Sequence, residues 1–98
     1  MEDHFVKDAR VFKAFCDENR LMILSLLKNG EKCACKLLDE LQIGQSTLSH
    51  HMKILCDSGV VKGRRDGKWI HYSISKDGSH YALKLLKEVT SLREDEFI

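Results

Sequence analysis

The sequence predicts a mainly α-helical domain with one β-hairpin, in the order α-α-α-α-β-β-α, the pattern of a winged helix-turn-helix. Two adjacent stretches carry this expectation. The first is a short helical segment around residues 34–41, the break "QIG", and then "QSTLSHHMKILCDSG", which has the period of a helix. The second is "VVKGRRDGKWIHYSIS", in which Asp66-Gly67 separates two strand-like runs and is a strong two-residue hairpin signal.

Taken in order, residues 4–16 place Phe5, Ala9, Phe12 and Cys16 at helical spacing, with Val6 and Phe15 widening the stripe. Asp17 or Asn19 then caps a second helix, "RLMILSLLK", which stops at Asn29-Gly30 and is apolar over most of its circumference. The third helix turns Leu37, Leu38 and Leu41 inward. In the fourth, Leu48, Met52 and Leu55 share one face, Ser46, Ser49, His50 and Lys53 the other, and Gly59 ends it. His51, one before Met52, sits beside the apolar stripe and reads as a packing or hydrogen-bonding histidine. In the hairpin, Trp69, His71 and Ser73 alternate with Ile70, Tyr72 and Ile74; Gly63 weakens the first strand, and Trp69 reads as wing-to-core packing. The last helix, "SHYALKLLKEVTSL", sets Ala82, Leu85, Leu86, Val89 and Leu92 on one broad stripe.

The chain of 98 residues is long enough for one domain. No apolar run approaches the roughly 20 residues that span a bilayer, and the start, "MEDHFVKDAR", carries both charge signs, unlike a secretory leader. A cytoplasmic protein with four largely reduced cysteines is expected. The net charge of +1 conceals a split: residues 45–76 carry +4 and the remainder −3. A basic block in a nearly neutral protein points to a polyanion-binding surface.

At "DENRLMILSLL", "CACKLLDELQIGQSTLSHHMKIL" and "DSGVVKGRRDGKWIHYSIS" the chain resembles the ArsR/SmtB family of winged-helix repressors. The resemblance implies a homodimer built on the first and last helices, double-stranded operator DNA as partner, and repression relieved by a metal or metalloid ion. A recognition helix enters the major groove with its polar face, while phosphate contacts position it. The candidate contacts are Gln45, Ser46, Thr47, Ser49, His50 and Lys53 on the helix, with Arg64, Arg65 and Lys68 in the wing. Gln45 and Thr47 lie at the helix start, where family members approach base edges; Lys53 suits phosphate, and the wing cations suit the backbone or the minor groove.

Residues 32–37, "KCACKL", supply the candidate ion site, Cys33 and Cys35. Thiolates select soft ions such as As(III), Sb(III), Cd(II), Pb(II) and Zn(II). The family's arsenite-type pattern has a third cysteine three residues after Cys-x-Cys; here that position is Leu38, and residues 1–15 contain no cysteine to replace it. Cys16 and Cys56 are each read either as a third ligand or as a small buried apolar residue, the commoner fate of a lone cysteine. Two assured thiolates favour As(III) or Sb(III), completed by another thiol, over Cd(II), Pb(II) or four-coordinate Zn(II). The family's other ion site, on the last helix, is not expected: Asp77 and His80 lie near its start, but no distal histidine follows.

In regular helix, residues i and i+2 point about 200° apart, so both cysteines hold one ion only if one sits before the N-cap or the first turn of the third helix unwinds. A disulfide across so short a ring is not expected in a reducing cytosol, whereas a thiol-redox switch is the alternative use of the pair, since Lys32, Lys36 and a helix N-terminus lower thiol pKa. A thiol enzyme is disfavoured, with no Cys-x-x-Cys, no βαβ pattern and no phosphate loop.

Overall fold

Residues 4–93 are described by the structure, a computed structural model. The elements run α1 (His4–Lys13), α2 (Glu18–Leu26), a single 3-10 turn (Leu27–Asn29), β1 (Lys32–Cys33), α3 (Ala34–Leu41), α4 (Gln45–Asp57), β2 (Val61–Asp66), β3 (Trp69–Ile74) and α5 (Lys76–Val89). The expected helices and hairpin are all present. Among the described residues no helix is long and apolar enough to cross a membrane.

Helix α1 stops three residues earlier than its stripe suggested. Ala14, Phe15 and Cys16 donate to Val11, Phe12 and Lys13 in i→i−3 turns, so Cys16 is an exposed turn residue rather than part of a helix face. Asp17 then caps α2 from extended backbone, its carboxylate accepting the Arg20 N–H at 3.1 Å. Helix α2 buries Arg20, Ile23 and, just beyond its end, Leu27, but leaves Leu21 and Met22 exposed. It is therefore one-sided, not apolar all round.

Strand β1 is only two residues long and was not foreseen. It pairs antiparallel with β3, Lys32 opposite Tyr72 and Cys33 opposite His71, giving a three-stranded sheet in the order β1-β3-β2. The hairpin loop is one residue later than Asp66-Gly67 implied: Asp66 pairs with Trp69, and Gly67 and Lys68 make the turn. Gly67 has φ +66° and Lys68 does not share the positive φ, the arrangement of a II′ turn, whose first position favours glycine.

Helix α5 begins three residues before the expected start, because Ser75 caps it by accepting the Gly78 N–H at 3.1 Å. Gly78 belongs inside it: a Cβ there would stand 1.8 Å from the Gly59 carbonyl oxygen. The absence of a side chain lets the helix start lie against the turn that follows α4. The core gathers Ile23, Leu27, Leu37, Leu48, Met52 and Leu55 with the hairpin residues Val61 and Tyr72. This core fixes α3, α4 and the sheet as one body. On the other side, Phe5, Leu83 and Leu86 of α1 and α5 remain at least half exposed. An apolar hollow of about 480 Å³ opens there between Phe12, Leu24 and Leu83.

Candidate functional site

Burial of Leu48, Met52 and Leu55 leaves α4 with one outward face, and all six residues expected on it, Gln45, Ser46, Thr47, Ser49, His50 and Lys53, are exposed. Gln45 to Thr47 form the first turn of the helix. Gly44 caps that turn without a side chain, leaving its first N–H groups open to an external acceptor. Arg64, Arg65 and Lys68 of the hairpin are likewise exposed.

Packing brings part of this set together. Gln45 and Ser49 share a cleft of about 200 Å³ with Arg65, Lys68 and the half-buried Trp69. Lys53 is held by Asp57 one turn on, at 3.1 Å. Arg64 points elsewhere: its Nε and Nη2 donate to the two carboxylate oxygens of Glu31, at 3.0 and 2.7 Å. Glu31 carries no local sequence signal, since its partner lies 33 residues away.

Behind α4 lies a buried polar group. Arg20 and His51 are each 6% exposed, and Arg20 Nη1 lies 3.0 Å from His51 Nδ1. Guanidinium is only a donor, so Nδ1 accepts and the ring is neutral with its proton on Nε2. Burial pushes the His51 pKa down; the Asp17 carboxylate, 3.8 Å away, opposes this, and the neighbouring Arg20 and His50 charges add to it. Arg20 Nη2 also donates to the Lys13 carbonyl at 3.0 Å. One side chain thus ties the end of α1 and the start of α2 to the middle of α4. The reading of His51 as a packing and hydrogen-bonding residue holds. Arg20 was missed, although it shares a helical stripe with Ile23 and Leu27 and is the charged member of it.

The thiol pair sits where a strand becomes a helix. Cys33 is the second residue of β1 and also the N-cap of α3, at φ −67° and ψ 144°. Its side chain turns over the first helical turn, and Sγ accepts the Cys35 N–H at 3.2 Å. Cys33 and Cys35 are paired as a disulfide, with Cα atoms 5.2 Å apart. The extended backbone of Cys33 removes the 200° divergence of two helical positions and brings both sulfurs to one point. The same placement meets the geometric condition for a shared ion once the pair is reduced.

No third donor joins them: among the described residues, no three His, Cys, Asp or Glu side chains cluster as metal ligands. Leu38 packs against the core. Cys16 is exposed beyond α1, and Cys56 is half-buried against the core, where burial and then Asp57 push its thiol pKa up and disfavour the thiolate. Two convergent sulfurs supply two soft ligands, short of the four that structural zinc takes.

A two-helix reading head with an exposed polar face, backed by a basic antiparallel hairpin, defines a winged helix-turn-helix DNA-binding regulator. The chain belongs to the arsR family of bacterial regulatory proteins, whose pattern residues 17–62 match. It is 47% identical over 89% of its length to a helix-turn-helix-type transcriptional regulator of Methanocaldococcus jannaschii, covering 99% of that protein. An arsenical resistance operon repressor of Escherichia coli is 34% identical, over 94% of this chain and 80% of the relative. A cadmium resistance regulatory homologue of Staphylococcus aureus is 36% identical, over 90% and 70%. Among solved structures, HlyU from Vibrio cholerae superposes with a TM-score of 0.69 at 30% identity, over 92% of this chain and 98% of that one. The family consists of DNA-binding transcriptional regulators rather than enzymes, and this chain is a transcriptional repressor of that family.

Proposed function

We propose that the chain is a cytoplasmic homodimeric repressor that leaves its operator when As(III) or Sb(III) binds Cys33 and Cys35. Gln45, Ser46, Thr47, Ser49 and His50 face the major groove in this reading, while Lys53, Arg64, Arg65 and Lys68 contact phosphates. The exposed apolar faces of α1 and α5 meet a second copy. The observation that carries the reading is the position of Cys33, at once the N-cap of the first helix of the helix-turn-helix and a residue of the strand bonded to the wing. An ion drawing both sulfurs into its shell acts on both elements that set the reading head.

Linkage then requires operator-bound protein to bind the ion more weakly, by the same factor as the ion weakens operator binding. The test is operator release across As(III), Sb(III), Cd(II), Pb(II) and Zn(II), with reduced wild type, Cys33→Ser and Cys35→Ser. Release at the lowest concentration of As(III) or Sb(III), abolished in both variants, is expected. Unchanged release in both variants overturns the site.

The disulfide pairing of Cys33 with Cys35 favours a second reading, a thiol-redox switch on the same residues. Under it, a mild oxidant alone releases the operator and a dithiol reductant restores binding.

A further inference from the structure

Arg64 is expected to contact DNA, yet the edge of its guanidinium is already occupied. Nε and Nη2 form a fork, and both prongs end on the Glu31 carboxylate. Phosphate is taken through the same kind of two-pronged contact, so that edge serves Glu31 or a phosphate, not both. The remaining nitrogen, Nη1, lies 3.9 Å from Asp66. Among the described residues no carboxylate forms an ion pair with Arg65 or Lys68. Arg64 is therefore distinguished among the hairpin's exposed cations by being held.

The holder is placed by the sheet. Glu31 directly precedes β1, where Cys33 stands opposite His71, and His71 stands opposite Arg64 on β2. Cys33, His71 and Arg64 form one rank across three strands, and directly opposed side chains lie on the same face. The Arg64 hydrogen bond, outweighing burial, holds the Glu31 carboxyl below its usual range. It is ionised throughout the neutral range and bears the charge type of a phosphate.

We propose that Glu31 is an intramolecular competitor for DNA phosphate: it occupies Arg64 in the free protein and must release it before the wing engages the backbone. This rests on the repressor reading and adds a residue that sets operator affinity without touching DNA. Because Glu31 adjoins the strand bearing Cys33, the competition is placed where the thiol pair can adjust it.

Operator affinity of reduced, ion-free wild type, Glu31→Gln, Arg64→Gln and the double variant tests the inference, with thermal unfolding confirming that all four fold. Both side chains are exposed and glutamine keeps the shape of glutamate. Glu31→Gln is expected to tighten binding about two- to five-fold, the scale of an exposed ion pair. Arg64→Gln is expected to weaken binding more in the Glu31→Gln background than in wild type. A general gain from removing one negative charge persists when Arg64 is absent; competition disappears with it. Weaker binding by Glu31→Gln, meaning that Glu31 aims Arg64 at DNA, overturns the inference. So does an equal effect of Arg64→Gln in both backgrounds. Absence of sequence-specific binding by wild type itself defeats the repressor reading and takes this inference with it.

Discussion

Replacing Arg20 by methionine removes a buried side chain that joins α1, α2 and α4 through polar contacts, and its consequence follows from those hydrogen bonds. One buried acceptor is orphaned, His51 Nδ1 at 3.0 Å, and the Lys13 carbonyl at 3.0 Å loses the guanidinium but keeps the Cys16 N–H. A buried acceptor left unpaired costs about 1–3 kcal/mol and a lost hydrogen bond from a charged donor about 1.5–3 kcal/mol, together about 2.5–6 kcal/mol. The substitution also removes a liability, because Arg20 Nε is buried without a partner; relief of that group returns about 1–3 kcal/mol. The expected net loss is about 2–3 kcal/mol, a large part of the roughly 5–15 kcal/mol that holds a small domain together. At about 4–8 °C per kcal/mol for a domain of this size, the thermal midpoint falls by about 10–20 °C. Urea unfolding of Arg20→Met, His51→Phe and the double variant measures the effect and its origin. His51→Phe removes the orphaned acceptor, so the double variant is expected to lose less than the sum. A loss below about 1 kcal/mol for Arg20→Met, or strict additivity, refutes the assignment of Arg20 as the tie between the helices.

Gly78→Ala is expected to destabilise the fold by about 2 kcal/mol in urea unfolding despite alanine's helix propensity, because the new Cβ meets the Gly59 carbonyl, which is backbone and cannot swing aside; a gain in stability would show that α5 shifts freely. His51 makes stability fall with acid: its folded pKa lies below the ordinary 6.5, so the contribution is complete above that value. It is lost as pH drops through 6.5 toward the folded pKa, where the unfolded chain takes the proton first. His51→Phe lacks this titration, and a stability–pH profile as steep as that of wild type counts against it. Leu86→Glu, on the exposed face of α5, is expected to convert a dimer to monomer in sedimentation analysis; an unchanged mass removes this face from the proposed interface.

What was legible in the sequence was whatever repeats locally. Helices α2 to α5 announce themselves by apolar spacing, Asp17 by cap chemistry and the hairpin by a glycine turn, so the fold class, the outward face of α4 and the inward turn of His51 could all be read. Boundaries were lost where two local signals compete. Gly78 carries the local signal of a helix breaker, and only the Gly59 backbone beside it gives a reason for a glycine inside α5. Strand β1 was invisible for a different reason. Two residues carry no alternation, and Lys32 and Cys33 are a strand only because Tyr72 and His71, about 40 positions later, offer the free side of β3. Glu31 and Arg64 are joined by the same long-range sheet. The candidate site residues could thus be listed from the sequence, while the contacts linking the two halves of that list could not.

Those contacts decide what the thiol pair is attached to. Had Cys33 and Cys35 both lain inside α3, their sulfurs would have diverged, and a shared ion would have had to unwind the helix. Their actual position divides the demand. Cys33 has its backbone in a sheet and its sulfur accepting in a helix cap, whereas Cys35 belongs to the helix alone. A force between the two sulfurs therefore acts across the joint between β1 and α3, not within either element. On one side of that joint lies the sheet that carries Arg64, Arg65 and Lys68. On the other lies the helix that leads, through Gln42 in its left-handed cap, into the first turn of α4 with Gln45 and Thr47. Helix and wing must hold one relative placement to follow one groove and its backbone. A small change at the joint is enough to alter that placement while leaving both elements folded.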